Sequence, residues 1–112
     1  MKILFRKRKL HKLANDYRVA ERQLGKVRAR KLRLRLDELD AAAALEDLRN
    51  LPQARCHELK GNRKRQLSVD LDHPYRLIFQ PANRPLPTKE DGGLDWKRVT
   101  AVEIIEITDT HE

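Results

Sequence analysis

The residues that can carry chemistry lie in two parts of the chain, the stretch from residue 55 to 81 and the last four residues. They combine imidazole, carboxylate and cationic side chains: His57, Lys60, Arg76, Asp109 and His111. Histidine accepts or donates a proton near neutral pH, and lysine or arginine stabilises charge on a phosphate. Attack of a ribose 2′-hydroxyl on its own 3′-phosphate needs a base, an acid and such cations. The set therefore suits cleavage of RNA without a metal ion.

A basic turn and an aromatic side chain stand beside these candidates. Arg63, Lys64 and Arg65 form the turn, and Tyr75 lies on the segment that follows. Cations bind the phosphate backbone of RNA, and aromatic rings stack on unpaired bases. We therefore predict that these four residues bind RNA, with Trp96 as a second candidate for stacking on a base.

Each candidate also has a purely structural interpretation. His57 could finish a loop, and His73, which stands before a proline, is typical of a turn residue. Asp109 and His111 belong to the last four residues, where chains often fray. Cys56 next to His57 could act as a catalytic thiol, but the side chains of sequence neighbours on a strand or loop usually point apart.

Several familiar kinds of site are missing from the sequence. No two of the four histidines have metal-ligand spacing, and the chain has one cysteine. The sequence contains no glycine-rich phosphate loop and no Gly-x-Ser-x-Gly element. We therefore expect neither a metal ion nor another cofactor.

Composition and charge indicate the class of protein. The 112 residues are 39% hydrophobic and 38% charged, which predicts one small domain spanning residues 1–112 with a densely charged surface. The formal net charge is +8, and residues 1–36 alone carry 14 Lys/Arg against 2 Asp/Glu. Such an excess of positive charge indicates a polyanionic partner, with nucleic acid ahead of an acidic protein.

The cysteine count and the amino-terminal segment bear on the compartment. A single cysteine excludes an internal disulfide and is typical of a reducing compartment. The amino-terminal apolar run has only three residues, too short for a signal peptide or a membrane span. We therefore expect a cytoplasmic protein with no membrane contact.

Hydrophobic periodicity predicts a short strand at Lys2–Phe5 and then two helices. Apolar residues three or four positions apart form one face of a first helix that stops at Gly25: Leu10, Leu13, Tyr17, Ala20 and Leu24. A second helix starts near Lys26. Asp40 could cap a separate short helix over residues 41–49, which would bend this element.

Alternation of apolar and polar residues predicts strands in the second half of the chain. Residues 67–71 and 75–80 read as a hairpin joined by Asp72-His73-Pro74, and 99–108 as a further strand. Residues 81–96, rich in proline, glycine and charge, read as a long loop. The predicted fold is α+β, with the order β-α-α-β-β-β. A mostly antiparallel sheet of about four strands would carry two helices on one face.

The order of these motifs resembles that of the HigB-type toxins in the RelE/ParE superfamily of toxin–antitoxin systems. The resemblance rests on HELKG, the basic turn, SVDLDHPYRLIF and the carboxy-terminal VEIIEI-D-x-H, and it covers most of residues 26–112. It implies a RelE-like fold and a ribosome-dependent mRNA endonuclease that needs no metal. The implied partner is a HigA-like antitoxin with a helix-turn-helix domain. The toxin would contact operator DNA only through this antitoxin.

The resemblance also implies roles for individual residues. The family's catalytic histidine and lysine fall on His57 and Lys60, and its strand arginine falls on Arg76. The family's terminal Asp-Tyr-His falls on Asp109, Thr110 and His111, so threonine replaces the usual tyrosine. Threonine cannot stack on a base and its hydroxyl is a poor acid, which predicts a slow enzyme or a different codon preference.

Two other functions agree with the same residues. One is a non-catalytic protein of the same fold that inhibits another target, such as gyrase, or only binds an antitoxin; Thr110 favours this alternative. The other is a basic RNA-binding module that binds ribosomal RNA without cutting it. All three would bind with a strong dependence on salt, so that property does not separate them.

Overall fold

The structure is a computed structural model that describes residues 1–109; Thr110, His111 and Glu112 lie outside the described residues. The helices are α1 (Arg8–Asn15), α2 (Tyr17–Leu24) and α3 (Lys26–Ala41). The strands are β1 (Lys2–Phe5), β2 (His57–Glu58), β3 (Leu67–Asp70), β4 (Arg76–Pro81) and β5 (Ala101–Thr108). Short 3₁₀ turns span Leu45–Asn50, Pro52–Ala54, Gly61–Arg63 and Trp96–Arg98.

Residues 1–109 form one five-stranded sheet in the order β1-β5-β4-β3-β2. Only β1 and β5 are parallel, and the other three pairs are antiparallel. The predicted α+β class and the mostly antiparallel sheet are therefore confirmed. The strand that was not predicted is β2, which has two residues and is too short for alternation to reveal it.

Periodicity predicted one continuous first helix, but the structure divides it at Asp16 into α1 and α2. The Asp16 carboxylate accepts hydrogen bonds from the backbone N–H groups of Arg18 and Val19, at 3.1 and 3.3 Å, and so begins α2. Leu13 and Ala20 still face the core, but Tyr17 is 43% exposed. Tyr17 belongs to the predicted apolar face but is therefore not the core residue that this face had predicted.

The second helix runs through Asp40, so Asp40 caps no helix, and the short helix predicted over 41–49 is instead a 3₁₀ turn over Leu45–Asn50. The chain leaves α3 after Ala41 and forms a 3₁₀ turn that begins at Leu45. The carboxylate of Asp47 accepts from the backbone N–H groups of Ala43 and Ala44, at 2.9 and 3.4 Å. The N-cap residue is thus Ala44, and the carboxylate that binds its N–H is that of Asp47, not of Asp40.

The helices cover one face of the sheet, and a smaller buried cluster lies on the other face. Leu32, Leu36 and Leu39 of α3 share the main core with the inward residues of β3 and β4, which include Val69 and Phe79. On the opposite face a small cluster forms from Leu59, Ile78 and Ile105. Ile105 reaches this face because the β4–β5 register shifts between Ile78 and Phe79.

One arginine within the core connects α3 to the sheet and to the next turn. Arg35 is 3% exposed. Its guanidinium donates to the backbone carbonyls of Asp70 at 2.6 Å and Gln53 at 3.0 Å, and to the carboxylate of Glu38 at 2.9 Å. All three guanidinium nitrogens are therefore used, as a buried charge requires.

Candidate functional site

The strand register places two rows of side chains on the sheet face that the helices do not cover. His57 pairs with Ser68, which pairs with Ile78. Asp70 pairs with Arg76, which pairs with Thr108. Side chains alternate along a strand, and Leu67, Val69, Leu77 and Phe79 belong to the main core. His57 and Arg76 therefore project from the same, opposite face, in neighbouring rows.

His57 is oriented by the backbone two residues before it. Its Nδ1 lies 2.9 Å from the carbonyl oxygen of Arg55. Because a carbonyl can only accept a hydrogen bond, Nδ1 carries the proton in this contact. In the neutral ring the lone pair is then on Nε2, which is the nitrogen that can accept a proton from a substrate.

Arg76 is held by a carboxylate that the sequence had not linked to the site. Its Nε lies 3.7 Å from Oδ1 of Asp70, and its side chain is 15% exposed. Asp70 also lies 3.7 Å, through Oδ2, from Nε of Arg55. Alternation along β3 already placed Asp70 on this face, but its partners depend on the register across three strands.

The basic turn folds back over the same face. Arg63 donates to Glu106 at 2.9 Å and to Gln66 at 2.9 Å, so its guanidinium is held by β5. Arg65 donates to the carbonyl of Gly92 at 3.1 Å, which connects the turn to the long loop. The side chains of Lys60 and Lys64 are exposed. The turn thus brings positive charge to the rim of the face, with Arg63 and Arg65 fixed by protein contacts.

The carboxy-terminal candidates are described only in part. Asp109 follows Thr108, the register partner of Arg76, and is exposed. The backbone therefore brings Asp109 to the edge of the row that contains Arg76. His111 lies outside the described residues, so its place in the site stays a prediction.

The two aromatic candidates have different environments. The guanidinium carbon of Arg28 lies 3.5 Å from the centroid of the Tyr75 ring, and Arg28 also binds both carboxylate oxygens of Asp72. One face of Tyr75 is thus already covered. Trp96 is 5% exposed and donates its indole N–H to Glu58 at 2.9 Å. Trp96 is a core residue, and its interpretation as a platform for a base is wrong.

Cys56 lies beside His57 in sequence but does not have the properties of a catalytic thiol. Burial raises its pKa to about 12; the charge of Arg49 opposes this shift and that of Glu58 adds to it. From the ordinary value of 9.0, this rise leaves roughly a thousandfold less thiolate at a given pH. The thiolate is the nucleophilic form, so Cys56 is expected to be inert.

Alkylation measures this inertness directly. At pH 8, iodoacetamide should modify Cys56 at least about a hundredfold more slowly in the native protein than in urea, since both the thiolate fraction and access are lower in the fold. Free cysteine in the two buffers serves as the control for the effect of urea on the reagent. Alkylation of the native protein at the rate of free cysteine would contradict the assignment.

Within residues 1–109 no group of three or more His, Cys, Asp and Glu side chains is placed to hold a metal ion. In the same part of the chain, none of the helices has the length and apolar character needed to cross a membrane.

Comparison with known proteins shows which family this sequence matches. The family model of the RelE-like toxin HigB of type II toxin–antitoxin systems matches residues 4–87. Toxin HigB-1 of Vibrio cholerae serotype O1 is 48% identical over 46 residues, which are 41% of this chain and 48% of that protein. The match thus spans about half the length of this curated relative.

The fold is similar to that of a solved toxin structure. The YoeB/ParE toxin from Agrobacterium tumefaciens superposes with a TM-score of 0.52 over 99% of this chain and 100% of that one, at 12% sequence identity. This likeness concerns the fold alone. Because the family model covers well over half of the sequence, the chain belongs to the HigB-like family of RelE-like toxins of type II toxin–antitoxin systems.

Proposed function

We propose that the chain is the toxin of a type II toxin–antitoxin pair and cuts mRNA on the translating ribosome without a metal ion. The observation that carries the proposal is the strand register, which puts His57 and Arg76 on the sheet face that the helices do not cover, with Asp109 at its edge. Family membership supports the toxin assignment. The net charge of +8 supports a polyanionic target.

The reaction is a transfer of the phosphodiester to the neighbouring 2′-oxygen. Nε2 of His57 takes the proton of the 2′-hydroxyl, the 2′-oxygen attacks phosphorus, and the bond from phosphorus to the 5′-oxygen breaks. His111 returns a proton to that 5′-oxygen, and the products are a 2′,3′-cyclic phosphate and a 5′-hydroxyl. Lys60 and Arg76 stabilise the charge on the phosphate, and Asp109 orients His111.

RNA binding extends from this centre along the basic rim. Lys64 contacts the phosphate backbone of the message. Arg63, held by Glu106, and Arg65, held by the carbonyl of Gly92, contact the same backbone from these fixed positions. The exposed face of Tyr75 stacks on a base. Since Thr110 replaces the family's tyrosine, base stacking depends more on Tyr75 than it does in relatives with the tyrosine.

The proposed biology follows from the family. A HigA-like antitoxin with a helix-turn-helix domain neutralises the toxin, and the toxin meets operator DNA only through it. The ribosome and its mRNA are the targets, and the protein acts in the cytoplasm. Neither a metal ion nor another cofactor takes part.

Cells that express the chain without an antitoxin test the proposal. We expect growth arrest and new 5′-hydroxyl ends inside translated reading frames. A matched reporter transcript whose start codon is changed should stay intact, because cleavage requires an occupied ribosome.

Two other results would contradict the nuclease. Growth arrest without new transcript ends would favour the non-catalytic alternative, in which the same fold inhibits another target such as gyrase; Thr110 is the residue that favours it. Equal cutting of both reporter transcripts would show a nuclease that does not depend on translation.

A further inference from the structure

A small cavity opens beside the β3–β4 turn, at the end of the row that contains Arg76. Its volume is about 80 Å³, and the charged and polar residues that line it are Arg55, Asp70, His73, Tyr75 and Arg76. Two guanidinium groups and an imidazole thus face one carboxylate. The balance is cationic, so the cavity is suited to a small anion.

The charged groups around this cavity are close but incompletely hydrogen-bonded. Both arginines approach Asp70 through Nε at 3.7 Å, which is beyond hydrogen-bond distance. Nη1 of Arg76 and Oδ1 of Asp70 are buried, and neither has a hydrogen-bond partner among the described residues. The one carboxylate thus satisfies neither guanidinium fully, and the exposed guanidinium of Arg55 keeps N–H donors for an added acceptor such as a phosphate oxygen.

Arg55 connects the cavity to the proposed base. Its backbone is in the left-handed region, with φ at 48°, a conformation that residues other than glycine seldom adopt. Its carbonyl accepts the Nδ1–H of His57, while its side chain extends towards Asp70 and is 65% exposed. One residue thus orients the imidazole and presents a guanidinium in the next row.

The distance between the row of His57 and the row of Arg76 matches the spacing of consecutive phosphates in an RNA strand. Neighbouring rows on one sheet face are two residues apart, which is roughly 7 Å along a strand. Consecutive phosphates in an extended single strand have a similar spacing. A strand whose cut phosphate lies near His57 therefore brings a neighbouring phosphate to the row of Arg55 and Arg76.

We propose that this cavity is a second phosphate site, which binds the phosphodiester next to the one that is cut. Arg55, whose side chain is 65% exposed, binds two phosphate oxygens through its guanidinium, and His73 closes the site from the turn. Arg76 lies between this phosphate and the one that is cut. Asp70 forms an ion pair with both arginines and orients them towards the cavity. The proposal rests on the proposed function for the identity of its ligand, RNA.

The first test uses inorganic phosphate and the full chain, without ribosomes. Titration followed by NMR should shift the Nε–Hε signals of Arg55 and Arg76 in a saturable way, and Arg55→Gln should abolish the shift at Arg76. Arg49 is the matched control, because it is another exposed, ion-paired arginine but lies against Trp96. Equal, unsaturated shifts at Arg49 and Arg55 would overturn the site.

The second test asks whether the anion is a phosphate within RNA. A hexanucleotide with 2′-O-methyl riboses cannot be cut, and single methylphosphonates remove one charge at a time. We expect Arg55→Gln to weaken binding about tenfold, with Arg55→Lys intermediate. One methylphosphonate should weaken binding of the native protein but not of Arg55→Gln.

The outcomes separate this site from the proposed function. An unchanged affinity in Arg55→Gln, with mRNA cleavage by the native chain intact, would remove the second phosphate site and leave the nuclease. Saturable phosphate binding without any mRNA cleavage would keep an anion site and remove the nuclease, and with it RNA as the ligand.

Discussion

Replacing His57 by asparagine is expected to slow mRNA cleavage on programmed ribosomes by about 10²- to 10⁴-fold, the usual contribution of a general base. The asparagine amide can still donate to the carbonyl of Arg55, as Nδ1 of His57 does at 2.9 Å. Only the group that accepts a proton is lost. Single-turnover cleavage under saturating enzyme measures the chemical step and excludes an effect on binding.

A second histidine provides the control for this experiment. His11 is exposed on α1, where its ring lies edge-on to Phe5 at a centroid distance of 5.2 Å, on the helix side of the molecule. His11→Asn should therefore cut at the native rate. If folded His57→Asn cuts as fast as His11→Asn, His57 is not the base, and the sheet face opposite the helices loses its main assigned role.

Replacing Arg35 by alanine is expected to lower the free energy of unfolding by about 3–5 kcal/mol, as the loss of one partner from a buried ionic network typically does. The guanidinium donates to two backbone carbonyls and one carboxylate while it is 3% exposed. Alanine would leave the carbonyls of Asp70 and Gln53 without these donors and open a cavity. Urea denaturation followed by circular dichroism measures the loss.

Two further substitutions separate charge from packing at this position. Arg30→Ala removes an exposed arginine from the same helix and should change stability by less than about 0.5 kcal/mol. Arg35→Met keeps most of the side-chain volume but not the hydrogen bonds. Its free energy of unfolding should therefore lie between those of Arg35→Ala and the native protein. An Arg35→Ala protein as stable as Arg30→Ala would mean that the network contributes nothing.

Periodicity recovered the elements that are long enough to show it. The hairpin of β3 and β4 and the strand β5 alternate over several residues, and the structure confirms them within two residues at each end. The register puts His57 and Arg76 on one face, in neighbouring rows and with β3 between their strands. Their placement on a shared sheet surface was also predicted from the sequence. It followed from alternation in β4 and from the motif order that resembles the HigB-type toxins.

Other features depend on contacts between distant segments and left no local pattern. Arg35 belongs to the run KLRLRLDEL, where arginines alternate with leucines and look solvated; only the fold shows that one of them reaches Asp70 and Gln53. The cap at Asp16 was missed because the apolar spacing continues across it. The left-handed backbone of Arg55 has no signal in residue type, since glycine would be the usual choice.

The burial of Trp96 gives the molecule a built-in optical reporter. It is the single tryptophan of the chain, and its indole N–H is bound to Glu58, the neighbour of Leu59 and the second residue of β2. The cation of Arg49 lies 3.8 Å from its ring centroid. Tryptophan emission responds to such polar and charged surroundings. Unlabelled protein therefore signals any displacement of the strand that carries His57, whether ligand, partner or denaturant causes it.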